Sequence, residues 1–140
     1  MSEKTIEGQL RAAGVVPVVT IEDAAQAVPL AEALVEGGLP VIEITLRTKA
    51  ALEALNRIAQ SVPGAIVGAG TVRRSGDIDA AVEAGARFLV SPGTTHTLGR
   101  AGRAAPVPFL PGCATPSEAL ALAEMGFESM KFFPAAAYGG

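Results

Sequence analysis

The chain has 140 residues, of which 49% are hydrophobic and 18% charged, and its mean hydropathy is +0.38. That is enough apolar material for one real core, so a single globular domain over residues 1–140 is expected. A net charge of −3 with scattered charges gives neither a nucleic-acid footprint nor a polybasic membrane patch, which leaves small molecules or other protein chains as partners.

One cysteine, Cys113, and one histidine, His96, make no disulfide framework and no Cys/His zinc site, and they fit a reducing compartment. The first residues balance Glu3 and Glu7 against Lys4 and Arg11 and lack the apolar core of a signal peptide. No run approaches the about 18 apolar residues of a membrane span. The cytoplasm is the expected location.

Ser2 to Ala13 reads as a short amphipathic helix, with Ser2 as N-cap and Ile6, Leu10 and Ala13 on one face, covering one end of the fold. Val15 to Ile21 is a β-branched run interrupted by Pro17 and is expected as the first strand. Glu22 and Asp23 open a helix to about Glu36, with Ala27, Leu30, Leu34 and Val35 inward, Pro29 a source of kinking, and Gly37-Gly38 as its stop. Val41 to Thr48 is the second strand. Ala50 to Val62 is a helix with Leu52, Leu55, Ile58 and Ala59 on one stripe, ended by Pro63-Gly64. Ile66 to Val72 is the third strand, Ser75 to Ala84 a helix closed by Gly85, and Phe88 to Ser91 the fourth strand. Thr95 to about Ala105 is a weak helix, and Val107 to Leu110 is the fifth strand. Thr115 caps a strong helix to Met125, with Pro116 at its first position and Glu118 three residues after the cap. Ser129 to Phe133 is the sixth strand.

Strands starting near positions 15, 41, 66, 88, 107 and 129 alternate with helices, which means right-handed parallel units in a (β/α) barrel or an open doubly wound sheet. The unusual residues fall at the C-terminal end of every strand: Arg47-Thr48, Gly70-Thr71, Ser91-Pro92-Gly93, Pro111-Gly112 and Phe133-Pro134. An open sheet concentrates its site at one switch point, whereas a barrel gathers it from many strand ends. The pattern favours an α/β fold of the TIM-type barrel class, or part of one.

The second strand carries the most telling pattern. Period-2 alternation sets Glu43, Thr45 and Arg47 on one face and Ile42, Ile44 and Leu46 on the other. Polar groups on a face covered by other elements need partners, so that face is expected to look into a site. Glu43 and Arg47 stand roughly 13 Å apart along a strand, too far for an easy ion pair. Arg47 is better placed to clamp a substrate carboxylate with its planar fork, and Thr71 has a hydroxyl to offer the same group.

Lys131 is set in the apolar run Met130-Lys131-Phe132-Phe133. An ammonium there loses hydration, which favours the neutral amine, a nucleophile able to form a Schiff base with a ketone. The plain alternative is a strand-end lysine that reaches out to solvent. Glu43 shifts the balance, because imine formation and carbon–carbon cleavage need a proton shuttle.

Gly68-Ala69-Gly70-Thr71 is not a dinucleotide fingerprint, since Arg73 stands at the third glycine's place, and no P-loop occurs. Those glycines are expected to allow close packing or ligand approach. Cys113 has no nearby base and reads as a small buried thiol, and His96 as a residue that opens a helix.

Taken together, Pro17-Val18-Val19, Glu43-Ile44-Thr45-Leu46-Arg47-Thr48, Val67-Gly68-Ala69-Gly70-Thr71-Val72, Ser91-Pro92-Gly93, Leu110-Pro111-Gly112, Thr115-Pro116-Ser117-Glu118 and Lys131-Phe132-Phe133-Pro134-Ala135 resemble a known family. It is the class I 2-keto-3-deoxy-6-phosphogluconate (KDPG) aldolases, which include the 4-hydroxy-2-oxoglutarate (KHG) aldolases. The resemblance implies a TIM-type barrel, usually a homotrimer, that splits the keto sugar acid into pyruvate and glyceraldehyde 3-phosphate with no metal and no organic cofactor. It implies Lys131 as the Schiff-base lysine and Glu43 as the general acid/base. Arg47 and Thr71 would hold the pyruvyl carboxylate, and Pro92 and Phe133 would line the pyruvate pocket.

Family members continue for two more strand–helix units that carry the phosphate-binding glycine-rich loops, so the resemblance also implies a barrel truncated after its sixth strand. Such a barrel exposes two edges. One alternative to an active aldolase is therefore a catalytically silent fragment that folds only with a complementary segment. Another is a phosphogalactonate aldolase, which the Leu46-Arg47-Thr48 ending ranks lower.

Overall fold

The computed structural model describes residues 5–140. Ser2, the expected cap of the first helix, lies outside them. The helix that is described, α1 (Ile6–Ala12), begins at Thr5, whose Oγ1 accepts the Gly8 N–H at 3.0 Å.

Seven short strand segments follow: β1 (Val18–Val19), β2 (Val41–Thr45), β3 (Ile66–Gly70), β4 (Leu89–Val90), β5 (Phe109–Leu110), β6 (Gly112–Cys113) and β7 (Lys131–Phe132). Helices α2 (Ala27–Glu36), α3 (Ala51–Ser61), α4 (Ser75–Glu83), α5 (His96–Ala104) and α6 (Pro116–Glu124) alternate with them. All ladders are parallel, and the five-stranded sheet runs β1-β2-β3-β4-β5 in strict chain order, with β6 and β7 forming a second, two-stranded sheet. A doubly wound sheet would reverse its order at a switch point. Strict progression is the order of a barrel.

The expectation of six strands needs correction at Pro111. The fifth strand is two segments, β5 paired with β4 and β6 paired with β7. Proline has no N–H to give a ladder, so pairing stops there and resumes with a different neighbour. A second correction concerns β2, which ends at Thr45, leaving Arg47 exposed in the turn beyond it rather than on the strand face with Glu43 and Thr45.

The two faces of β2 pack differently. Ile42 and Ile44 join Val67, Ala69 and Leu89 in the main core under the helices. On the opposite face Val41 clusters with Phe88 and Val90, and Ile6, Leu10 and Ala13 of the α1 region pack against them, so α1 does cover one end of the strands. Glu43 and Thr45 continue that inner face toward the strands' C-terminal ends.

In two helices part of the expected face is displaced, although Leu34 and Val35 of α2 and Leu55 and Ile58 of α3 do pack inward. In α2 the buried residues are Ala27 and Ala31, while Leu30 is 36% exposed. In α3 they are Ala51, Ala54, Leu55 and Ile58, while Leu52 is 38% exposed and Ala59 is exposed too. Alanines let these helices lie close to the sheet, and the close approach fixes the phase more strongly than side-chain size does. Pro29 is the third residue of α2 and leaves the helix unbroken, because the N–H it lacks would have had no partner in the first turn. Asp23 caps a short 3-10 turn, Ala24–Gln26, ahead of it. The α6 cap is as expected, with Glu118 N–H donating to Thr115 Oγ1 at 3.2 Å, and Glu118 Oε1 accepting from Ala114 N at 3.1 Å. Among the described residues no helix is long and apolar enough to cross a membrane.

Candidate active site

Lys131 and Glu43 meet across the inner face. Lys131 sits on β7 of the two-stranded sheet and Glu43 on β2 of the five-stranded one, yet Nζ and Oε1 are 3.8 Å apart. Only 6% of the Glu43 side chain and 23% of the Lys131 side chain is exposed. Oε1 of Glu43 has no hydrogen-bond partner. A buried oxygen left unbonded and aimed at an amine is costly for stability, and such groups concentrate where chemistry is done.

Burial pushes the Glu43 carboxyl above its ordinary pKa, and the nearby charges of Lys131 and then Arg47 pull against that shift. The acid is thereby biased toward holding its proton while still facing a base. The Phe133 ring lies 4.8 Å from Nζ and closes one side of the ammonium.

β3 makes room for the carboxylate. A Cβ on Gly70 would stand 1.9 Å from Glu43 Oε1, so the acid occupies the space a side chain would need there. The glycine run was expected to serve close packing, and Gly70 does. Thr71 comes next with φ of 58°, a left-handed backbone unusual for a β-branched residue. Strained backbone of this kind clusters at active sites and ligand clamps.

Of the six expected site residues, Glu43, Lys131 and Phe133 are brought into contact. Arg47 reaches Glu43 only through its charge, from the turn after β2. Thr71 and Pro92 are half-buried at the C-terminal ends of β3 and β4 and take no part in the Glu43–Lys131 contact. Sequence reasoning missed Thr20, whose hydroxyl lies 2.9 Å from that of the buried Thr45. It also missed roles for Ser91 and Thr94, which bond Gly112. Single hydroxyls near turns are too common to have signalled either.

His96 is the exposed first residue of α5, behind the Thr95 cap. Cys113 is buried, with Sγ 4.0 Å from Met130 Sδ, and its pKa is raised by burial and secondarily by Glu118. Two clefts of about 470 and 480 Å³ lie elsewhere, one beside α1 between Arg11, Arg103 and Phe127 and one between α4 and α5. The chemistry of the inner face, rather than cleft size, marks the site.

Residues 6–140 match the family model described as "Aldolase: KDPG and KHG aldolase". The chain belongs to this aldolase family. It is 49% identical over 137 residues to the 2-dehydro-3-deoxy-phosphogluconate aldolase of Zymomonas mobilis, covering 98% of this chain and 65% of that one. It is 46% identical over 134 residues to the KHG/KDPG aldolase of Escherichia coli K12, covering 96% of this chain and 63% of that one. A crystal structure of KDPG aldolase from Legionella pneumophila, with pyruvate captured at low pH as a covalent carbinolamine intermediate, superposes with a TM-score of 0.93 at 46% identity, over 98% of this chain and 67% of that one. The fold is accordingly that of a TIM-type barrel, and the chain spans just under two thirds of the length of the two curated relatives, 65% and 63%.

Proposed function

We propose that this chain carries the imine-forming part of a class I aldolase that cleaves 2-keto-3-deoxy-6-phosphogluconate to pyruvate and glyceraldehyde 3-phosphate. By the same steps it would cleave 4-hydroxy-2-oxoglutarate to pyruvate and glyoxylate. The observation that carries the reading is the unbonded Glu43 Oε1 set 3.8 Å from Lys131 Nζ on a water-poor inner face. A crystal structure in which a relative 46% identical to this chain holds pyruvate as a carbinolamine supports it.

In this reading Nζ of Lys131 attacks C2 of the keto acid, and the C2 oxygen takes the proton that the nitrogen sheds, which gives the carbinolamine. Glu43, held protonated by its burial, protonates the carbinolamine hydroxyl; water leaves and the iminium remains. Ionised Glu43 then takes the proton of the C4 hydroxyl. The C3–C4 bond breaks, its electron pair passes into the iminium to give the enamine, and the aldehyde departs. Glu43 returns the proton to C3, and hydrolysis of the pyruvyl iminium frees Lys131. The protonated nitrogen is the electron sink throughout, so the chemistry calls for no metal and no organic cofactor.

Arg47 and Thr71 hold the carboxylate of the pyruvyl half, and Pro92 and Phe133 line the pyruvate pocket. The protein works in the cytoplasm as a homotrimer, with residues 1–140 belonging to one barrel domain.

Intact mass after incubation with pyruvate and borohydride tests the reading, with Lys131→Ala as control. One pyruvyl adduct, lost in the variant, is the expected result. A folded chain that forms no adduct would overturn the aldolase reading, and an unfolded one would leave the silent-fragment alternative in its place.

A further inference from the structure

The Glu43–Lys131 contact spans two sheets, so something must hold those sheets in register. Backbone pairing does not do it at the strand ends. The β4–β5 ladder ends with Ser91 N–H donating to Leu110 C=O at 3.1 Å. A parallel ladder would continue with Gly112 N–H to Ser91 C=O. Gly112 N–H instead donates to the Ser91 side chain, Oγ, at 3.1 Å. Thr94 Oγ1 donates to Gly112 C=O at 2.9 Å, and Ser91 Oγ lies 2.9 Å from Thr94 Oγ1.

The proton positions follow from elimination. A carbonyl only accepts, so the single Thr94 hydroxyl proton is committed to Gly112 C=O, and the Ser91 hydroxyl must donate to Thr94. The result is a closed ring in one direction: Gly112 N–H to Ser91 Oγ–H to Thr94 Oγ1–H to Gly112 C=O. Ser91 is fully buried and its bond from Gly112 N–H is shielded from solvent, while the two bonds of half-buried Thr94 are shielded in part. A Cβ on Gly112 would lie 2.3 Å from Pro92 C=O and 2.4 Å from Ser91 C=O, so the strand can come this close only as glycine. Gly112 is the ladder partner of Lys131, whose N–H donates to Pro111 C=O at 2.8 Å.

We infer that Ser91 and Thr94 are positioning residues for Lys131. Their hydroxyls replace the ladder that breaks at Pro111, and so hold the β6–β7 sheet, which bears the lysine, in register with the sheet that bears Glu43. The inference deepens the aldolase reading and rests on it for its catalytic consequence. Arg47 and Thr71, which take the substrate carboxylate in that reading, belong to the five-stranded side and do not depend on the ring. Loss of the ring therefore slows attack by Lys131 while the carboxylate clamp stays in place; displacement of Pro92 and Phe133, which line the pocket beside the ring, changes pyruvate binding less than it changes the rate.

The test follows pyruvyl adduct formation against pyruvate concentration for the parent, Ser91→Ala, Thr94→Val and Thr94→Ser, with circular dichroism on each. Ser91→Ala and Thr94→Val should lower the maximal rate about tenfold or more while the half-saturating pyruvate concentration changes by less than about twofold, and Thr94→Ser should restore the rate. Thr94→Val is isosteric and decides the matter if Ser91→Ala unfolds. Parent-like maximal rates in folded Thr94→Val would overturn the inference, as would losses that merely track the unfolded fraction. A second readout needs no pyruvate: acetic anhydride labelling of Lys131 relative to exposed Lys49 should rise at least about threefold in folded Thr94→Val, through loosening of Lys131 from Glu43. If the parent forms no adduct, the aldolase reading fails alone when that ratio moves, and the positioning inference fails with it when the ratio stays fixed.

Discussion

The carboxylate of Glu43 rests against the Cα of Gly70, where a Cβ would stand only 1.9 Å from Oε1. The β2–β3 register pairs Glu43 with Gly68 and Thr45 with Gly70, so the acid leans forward by one pleat, over the glycine opposite Thr45. What aims Glu43 along the strands toward Lys131 is thus an absent side chain on its neighbour. Orientation of the acid and packing of β3 are one feature.

Gly70→Ala should accordingly cost both stability and chemistry. The methyl group forces the carboxylate off its seat, and overpacking of this kind costs about 1–3 kcal/mol. A displacement of about 1 Å at a reacting group costs on the order of a hundredfold in rate. Denaturant unfolding and pyruvate–borohydride trapping measure the two losses separately. Trapping at the parent rate would show that the position of the carboxylate is immaterial.

Glu43→Gln has opposite effects on stability and on chemistry. The Glu43 pKa is raised above its ordinary value of 4.5, chiefly by burial. Between that value and the raised one, the native state binds more protons than the unfolded state. Stability contributed by the protonated form is complete below the unfolded value and is lost as pH rises through the native one. Glutamine removes that titration. The variant should match the parent near pH 4 and unfold at a higher temperature than the parent at pH 7, while adduct formation falls by about 10²-fold or more. Equal melting temperatures at both pH values would contradict the raised pKa.

Much of this site is legible in the chain because its two main groups violate their surroundings. A carboxylate within Val-Ile-Glu-Ile-Thr and a lysine within Met-Lys-Phe-Phe are costly to bury unless they meet, and they do. What escaped the sequence is set by tertiary contact. Alternation alone carries β2 through Arg47, but pairing with β3 ends where the chain turns after Thr45. Leu30 and Leu52 outrank alanine in any hydrophobic count, yet the helices turn their alanines to the sheet. The break in pairing at Pro111 went unread, and nothing in the sequence says that Ser91 and Thr94 repair it from another strand.

Thr71→Gly separates backbone strain from binding. Holding a β-branched residue at φ of 58° costs about 1–2 kcal/mol, which glycine would relieve. Glycine's extra freedom in the unfolded chain takes back about 0.4–1 kcal/mol. Stability by denaturant titration should match the parent or exceed it by up to about 1.6 kcal/mol. If the strain serves to present the hydroxyl to the pyruvyl carboxylate, the half-saturating pyruvate concentration rises in the same variant and falls back in Thr71→Ser. A parent-like value for Thr71→Gly would reduce the residue to a turn.

Cys113 reports on the joint between the sheets without taking part in chemistry. It is 8% exposed on β6, one residue from the Ser91–Thr94–Gly112 ring, and burial pushes its pKa up. Only the thiolate reacts with disulfide reagents, so both effects slow labelling. In the folded parent, modification should be at least about a hundredfold slower than for a free thiol and should accelerate toward alkaline pH. The rate is then a measure of how often β6 and β7 open. Ser91→Ala, which removes one member of the ring, should raise it several-fold at unchanged helical content. A labelling rate indifferent to Ser91 would mean that the covalent link through Pro111 and the Lys131–Glu43 contact hold the joint without the ring.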